Sequence, residues 1–379
     1  MTSDPRNAQA RQALLDRARD LVPALRARIG AADAARRLPD ASIADLRGAG
    51  LLGILKPARF GGLGLDLETY GRAVLALGRG CGATAWAGAA LGLGQWLAGR
   101  FPAAAQDEVW SADGLAAAAL APGGEAVADH SGWRLGGRWP RVAAAASADW
   151  LLLGCRADGG AALALVPRAD VRLDDDAAAL GLAGGGGRTV VAEGAAVQGH
   201  RLLRLAEPVA ADAAALHRVP LAAVLPGALA LPVVAIAGGA LDDYIATTRE
   251  RTTRGAAVGG NRSMAEFPTI QLRVAEAASL VDAAELLLCR DLAEADPAPS
   301  EEALLRNRRD GAFAARLATQ AVDRLFESAG GQGLFSSHPM QRAWRDAHAA
   351  AMHASLNWDA VGTLVGRGML GLPAENAPA

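Results

Sequence analysis

Apolar and polar positions follow three different patterns along the 379 residues. Over residues 7–110, apolar positions recur at helical spacing, which predicts helices at 8–29, 67–80 and 84–100. A shorter helix is predicted from Asp40 as its N-cap to a stop at Gly50. Residues 56–65 carry Pro57 and three glycines, which indicate a loop.

Residues 113–208 change to short apolar runs separated by turn residues, the pattern of a small β-domain. In one run, Trp133 and Leu135 alternate with Arg134 and Gly136, which is a period of two. The runs that predict strands are 115–120, 133–139, 150–156, 161–166 and 189–192.

Residues 220–370 return to helical spacing, with helices predicted at 272–292, 312–325 and 340–356. Ser300, followed by Glu301 and Glu302, is predicted to start a further helix. The longest apolar stretch, residues 220–240, contains Pro226 and Pro232. It is long enough for a membrane span but is better explained as an interior helix whose start is broken.

The pattern therefore predicts an α+β fold in which a β-domain lies between two helical parts. The predicted domains are an N-terminal helical domain (1–112), a central β-domain (113–215) and a C-terminal helical bundle (216–379).

Composition excludes several classes of protein. The net charge is −2 and no basic block is present, so no nucleic-acid partner is expected. The three cysteines, Cys81, Cys155 and Cys289, are far apart, which argues against disulfides and against a metal site. The first residues are polar and show no signal peptide. We expect a cytoplasmic protein without a membrane segment.

Seven segments carry a resemblance through their order and spacing. The most specific is the C-terminal run 344–363, WRDAHAAAMHASLNWDAVGT. The others are 49–64, 83–86, 133–150, 238–251, 271–288 and 330–333. Together they resemble the acyl-CoA dehydrogenase superfamily over nearly the whole chain. Within it they are most similar to the oxygenase components of two-component flavin monooxygenases.

The resemblance implies the acyl-CoA dehydrogenase fold and a defined chemistry. A separate flavin reductase supplies reduced flavin, usually FMN although FAD is possible, and the flavin binds between the β-domain and the C-terminal bundle. Dioxygen adds at flavin C4a, and the hydroperoxide hydroxylates a small aromatic or polyketide-like molecule, as in secondary metabolism. Family members are usually tetramers whose neighbouring subunits complete each flavin site, so we expect a homotetramer or a homodimer.

His353 is the catalytic residue that the resemblance implies, because a histidine of this segment reaches the flavin C4a region in the family. An imidazole titrates near neutral pH, so it can accept a phenolic proton or donate one. A histidine buried in a subunit interface is the structural alternative. His348 is five residues earlier, about 140° away on a helix, and is interpreted as structural.

Five further residues are implied to bind the cofactor. Arg249 and Arg251 match an arginine that contacts flavin phosphate in the superfamily, and a guanidinium suits that role. Gly330 and Gly331 resemble a glycine turn that lets backbone approach a neighbour's flavin, although a plain helix stop explains them too. Trp139 matches the tryptophan that opens the flavin-contacting strand and is equally consistent with a core position.

Three departures from the family pattern affect this interpretation. After Trp139 the family has serines that bind the flavin and then a histidine, where this chain has Ala143, Ala144 and Ser147. The later run 181–190, GLAGGGGRTV, replaces an arginine, a threonine and a serine with Ala183, Gly185 and Gly187. A four-glycine run is expected to be flexible and to offer only backbone donors. Gly94 stands where the family has a histidine.

The resemblance therefore predicts the oxygenase component of a reduced-flavin-dependent, two-component monooxygenase. If the flavin site has degenerated, the same fold could serve a flavin-independent cyclase or isomerase without a cofactor. A dehydrogenase is a third possibility, but Asp359 is the only carboxylate near the position of its catalytic base.

Overall fold

The structure, a computed structural model, describes residues 5–130, 132–175, 179–253 and 261–372. The outer ends of the first and third predicted domains, residues 1–4 and 373–379, lie outside this range. Helices occupy the N-terminal part, strands the middle and helices the remainder, as the α+β prediction requires.

Seven helices form the N-terminal part. The predicted helix 8–29 is three pieces, because Pro23 has no N–H to donate and starts a new helix in its first turn. Asp40 is the first residue of its helix and not the cap, whereas Gly50 (φ 79°) ends the segment as expected. The helices are α1 (Pro5–Asp20), α2 (Val22–Ala27), α3 (Ile29–Ala35), α4 (Asp40–Gly48), α5 (Leu67–Gly78), α6 (Gly82–Ala98) and α7 (Ala103–Trp110).

The central part is a seven-stranded sheet in the order β5-β6-β2-β1-β3-β4-β7. All neighbouring strands pair antiparallel except β1 and β3, which are parallel. The five predicted strands are confirmed, and β5 and β7, of three residues each, were missed. The strands are β1 (Ala116–Asp129), β2 (Gly132–Val142), β3 (Trp150–Ala157), β4 (Gly160–Pro167), β5 (Arg172–Asp174), β6 (Arg188–Val197) and β7 (Leu202–Arg204).

Six helices follow among the described residues 202–253 and 261–372, with a two-stranded ribbon after the second of them. Ser300 caps the fourth, accepting the N–H of Ala303 at 3.1 Å, as predicted. The elements are α8 (Ala215–Arg218), α9 (Leu221–Glu250), β8 (Thr252–Thr253), β9 (Arg262–Ser263), α10 (Pro268–Ala293), α11 (Glu301–Ser328), α12 (Pro339–Ala351) and α13 (Trp358–Met369).

The core of the bundle is α9, which runs unbroken through Pro226 and Pro232. The broken start predicted from these prolines is therefore wrong. Helix α9 packs against α5, α6, α10, α11 and α12, and this burial outweighs the two missing backbone donors. It is the one described helix long and apolar enough to cross a membrane, but 78% of that window is buried inside the protein, as a core helix requires.

Candidate active site

His353 lies just beyond the end of α12. It precedes a 3₁₀ turn, Ala354–Leu356, that joins α12 to α13. The helical angle between His348 and His353 therefore does not apply, since only His348 is on α12. The His353 side chain is exposed in the single chain and sits at a turn that packs against α9 and α11.

The hydrogen bond of His353 determines which ring nitrogen carries its proton. Nδ1 accepts the backbone N–H of Ser355 at 3.2 Å, so the neutral ring is protonated on Nε2. The surrounding protein displaces water from the ring and lowers the pKa of His353, which favours this neutral form at pH 7. The arrangement suits a hydrogen-bond donor at Nε2 better than a base, because Nδ1 is already occupied.

His348 has a separate set of partners. Its Nε2 lies 2.9 Å from Oδ1 of Asp323, which also accepts the indole N–H of Trp344 at 2.8 Å. The His348 and Trp344 rings are in contact, with centroids 4.4 Å apart, and Trp344 stacks on Phe326. These contacts join α12 to α11.

Arg251 and Gly330 come together at the end of the bundle. The Arg251 Nη1 donates to the Ala329 carbonyl at 2.8 Å, and Nη2 would lie 3.3 Å from a Cβ added at Gly330. Gly330 has a φ of 69°, which favours glycine. Gly331 is exposed and has open space around it, and Arg249 is exposed at the last turn of α9.

His338 is a neighbour of this turn that the sequence reasoning missed. Its Nδ1 caps α12 by accepting the N–H of Met340 at 3.2 Å. Burial, and then the nearby charge of Arg251, lower the pKa of His338. A histidine before Pro339 at a helix start was the only signal in the sequence.

Trp139 lies apart from these groups, inside the sheet. Its side chain is 2% exposed, and its indole N–H donates to the Gly154 carbonyl at 2.7 Å. The ring covers Gly123, Gly124 and Gly137, where any Cβ would collide with it. In the single chain Trp139 is therefore a core residue of the β-domain.

The glycine-rich segment 180–187, here called the glycine loop, is buried at Gly181, Gly184, Gly185 and Gly186 and is held by contacts. Its backbone binds the segment after Trp139: the N–H groups of Ala144 and Ala146 donate to the carbonyls of Gly185 and Gly186 at 3.2 and 3.3 Å. A Cβ at Gly185 would meet Trp86 of α6 at 2.8 Å. The close packing at Gly184 and Gly185 argues against the expected flexibility of this run.

Gly94 is also explained by packing. A Cβ there would lie 1.9 Å from the carbonyl oxygen of Ala116, so α6 and the start of β1 touch through their backbones. The histidine of the family pattern has no room at this position in this backbone.

Other possible sites are few among the residues the structure describes. No group of three or more His, Cys, Asp or Glu side chains could hold a metal ion. A cavity of about 350 Å³ opens between α10 and α11, next to Asp323. Its lining includes three carboxylates, those of Glu276, Asp323 and Glu327, so it does not suit an anionic cofactor.

Comparison with known proteins identifies the family. The N-terminal domain of acyl-CoA dehydrogenase matches residues 8–116, and its C-terminal domain matches residues 228–358. The oxygenase component of an FADH2-dependent resorcinol hydroxylase from Rhizobium sp. (strain MTP-10005) is 38% identical, covering 98% of both chains. The chain belongs to the flavin-dependent monooxygenase oxygenase components of the acyl-CoA dehydrogenase family.

Two further proteins are similar over nearly their full length. The oxygenase subunit HsaA of Rhodococcus jostii (strain RHA1) is 32% identical, covering 93% of this chain and 97% of its own. The structure of XiaF from Streptomyces sp. in complex with FADH2 and glycerol superposes with a TM-score of 0.89 at 28% identity, covering 99% and 98% of the two chains. The predicted resemblance and fold are confirmed.

The residues present fit the two ends of a flavin unequally. The guanidinium of Arg251 beside the Gly330 turn is the donor set that a phosphate needs. Ala143, Ala144 and Gly187, at positions where the family pattern binds the flavin ring, have no side-chain donor, so ring contacts there would depend on backbone groups.

Proposed function

We propose that this oxygenase component hydroxylates a phenol-like aromatic molecule, with reduced flavin and dioxygen as co-substrates. The observation that carries the proposal is the His353 turn, which presents an Nε2–H donor at the surface between α12 and α13. The full-length similarity to a resorcinol hydroxylase component supports the substrate class.

The residues of the chain would divide the work as follows. Arg251, with Arg249 near it, binds flavin phosphate, and the backbone at Gly330 and Gly331 approaches the cofactor closely. His353 would donate a hydrogen bond from Nε2 to the oxygen atom on which negative charge develops while one oxygen is transferred to the substrate. Bound reduced flavin supplies the chemistry that activates dioxygen.

The cofactor and partners follow from the same family membership. We propose that reduced FMN or FAD arrives from a separate flavin reductase in the cytoplasm. FADH2 is named for the resorcinol hydroxylase component and for the XiaF complex. The first assay should therefore test FAD as well as the FMN that is usual in the family.

We also propose that the chain assembles into a homotetramer or homodimer. Exposed apolar side chains lie beside two candidate residues in the sequence: Met352, next to His353, is 83% exposed, and Leu334, at the end of the turn after Gly330, is 77% exposed. Large apolar surface next to a cofactor site is typical of a face that a second subunit covers. Light scattering on the purified protein measures the assembly directly.

A flavin-independent reaction on the same fold is the second candidate. It is favoured by the lack of side-chain donors at Ala143, Ala144 and Gly187, where the family pattern binds flavin. Turnover of a substrate without any flavin would establish it.

The decisive assay supplies reduced flavin from an added reductase and NADH, with resorcinol as the first aromatic probe. The expected result is hydroxylated product that requires the oxygenase, flavin and dioxygen together. Flavin that binds but yields only hydrogen peroxide across a panel of phenols would contradict the proposed substrate class. A parallel reaction without reductase tests the flavin-independent candidate.

A further inference from the structure

The glycine loop is held to α12 by two hydrogen bonds from adjacent residues. Oδ1 of Asp346 accepts the backbone N–H of Leu182 at 2.6 Å, and Nη1 of Arg345 donates to the Leu180 carbonyl at 2.8 Å. At Gly181 the loop backbone lies against that of Arg345, so closely that a Cβ would be 2.3 Å from its carbonyl oxygen. Helix α12 and the loop therefore meet without intervening side chains.

Asp346 is a buried carboxylate in a mixed environment. It is 6% exposed, and the charged or titratable groups facing it are Asp33 of α3, Cys81 before α6, and Arg342 and Arg345 of its own helix. Burial raises the pKa of Asp346 to about 6; Asp33 adds to the effect, and the hydrogen bond from Leu182 and the two arginines oppose it. At pH 7.5 the group is ionised, and an ionised acceptor makes the stronger hydrogen bond.

The partner of Asp346 is in a conformation that needs support. Leu182 has a φ of 60°, in the left-handed region that non-glycine residues seldom adopt. Such a residue persists where its surroundings fix it, and the bond to Asp346 is a direct way to do so.

The opposite side of the loop is closed by the N-terminal helices. Gly184 packs against Ala32 of α3 and Ala83 of α6, and Gly185 packs against the indole of Trp86. The loop is thus a layer between α12 and Trp86. Because Ala144 donates to Gly185, the segment after Trp139 is positioned by the same layer.

We propose that Asp346 is a positioning residue that clamps the glycine loop between α12 and Trp86. This clamp fixes a stretch of backbone without polar side chains, at positions where the family pattern has side chains that bind flavin. The inference rests on the proposed function for its catalytic consequence, but the clamp is a property of the protein without flavin. No side chain of the loop itself can perform this role, because its only side chains are those of Leu180, Leu182 and Ala183, which have no polar atoms.

The test is hydrogen exchange of the loop amides in the flavin-free full-length protein at pH 7.5. Asp346→Ala should speed exchange at Leu182 at least tenfold, and Asp346→Asn about threefold, because an amide oxygen is a weaker acceptor than a carboxylate. Asp323→Ala is the matched control: it removes a carboxylate that contacts the other side of α12 through Trp344 and His348. It should leave loop exchange unchanged.

The proposed clamp would be contradicted if Asp346→Ala left hydrogen exchange at Leu182 unchanged. It would also be contradicted if exchange increased equally over the whole protein. If Asp346→Ala does not fold, Asp346→Asn is the deciding variant. Its hydrogen exchange should increase in the loop and not over the whole protein.

A second readout links the clamp to function. With reduced flavin, resorcinol or another accepted phenol and air, the ratio of hydrogen peroxide to hydroxylated product should rise at least fivefold in Asp346→Ala and less in Asp346→Asn. An unchanged ratio with a loosened loop would contradict the catalytic consequence. If the wild-type protein binds no reduced flavin, the proposed function fails, while the exchange measurement still decides the clamp.

Discussion

The family pattern implies a role in flavin binding or catalysis for both the glycine loop and the His353 turn, but the two are built in opposite ways. The loop is buried at its glycines 181 and 184–186, has no polar side chains between residues 180 and 187, and is contacted by Asp346, Trp86 and backbone bonds. The turn is exposed and presents His353 with one ring nitrogen available. The loop makes its contacts within a single chain, whereas the His353 turn presents a hydrogen-bond donor to a molecule that binds there.

The difference shows that loss of side-chain donors is not loss of structure. The glycines at 184 and 185 are required by their neighbours, and Gly94 is required by the start of β1. A decayed site would be expected to leave space behind, whereas this one is filled to contact distance. Outside the loop, the chain keeps His353 and Arg251, the histidine and the arginine that the family pattern predicts.

The largest effect is expected from Gly94→Ala, which tests whether the buried region is fixed by packing. The added methyl group would overlap the Ala116 carbonyl oxygen, so α6 must move away from β1. The free energy of unfolding should fall by about 3 kcal/mol. Urea denaturation measures this.

Gly366→Ala is the control for that substitution, because it lies inside α13 with nothing within 4 Å of the added methyl group. It should be neutral or stabilise by up to about 1 kcal/mol, the helix preference of alanine. Equal effects at both glycines would show that Gly94 is not a packing requirement.

The next largest effect concerns the exposed region. His353→Ala should reduce the hydroxylation rate about 100-fold, which is in the range for loss of a hydrogen-bonding catalytic group. Its thermal stability should change little, because the side chain is exposed. Steady-state kinetics with saturating reduced flavin provide the measurement.

Asp359→Asn is the matched control for His353, being an exposed carboxylate on the adjoining helix. It should hydroxylate at the wild-type rate. Loss of hydroxylation in Asp359→Asn, with none in His353→Ala, would show that Asp359 and not His353 takes part in the reaction.

The smallest effect is expected at the phosphate end. Arg251→Ala should weaken reduced-flavin binding about tenfold, the equivalent of roughly 1.4 kcal/mol, since one charge-assisted contact is lost. Arg249→Ala should weaken it less, because Arg249 is exposed at the helix end, whereas Arg251 is bonded to the Ala329 carbonyl beside the glycine turn. Binding that is unaffected by Arg251→Ala would remove Arg251 from the site.

The sequence predicted what depends on local pattern. It located the five longer strands, the helices α5, α6 and α10, and the Ser300 cap, since periodicity and capping are properties of neighbouring residues. It failed at α9, where contacts from five other helices maintain a helix across two prolines.

The parts of the site that the sequence did not reveal depend on distant residues. Asp346 and Leu182 are 164 positions apart, and no short motif joins them. The role of Gly185 depends on Trp86, about 100 positions away on another helix. The tautomer of His353 follows from a backbone contact that becomes defined only when α12 ends before it.

Anaerobic titration with reduced flavin tests the central claim most directly. The claim is that the site still binds flavin although the glycine loop contributes backbone groups and few side-chain donors. We expect saturable binding of FADH2 or FMNH2 well below 1 mM, weaker in Arg251→Ala. Absence of binding to the intact protein at near-millimolar concentrations of both flavins would contradict the account.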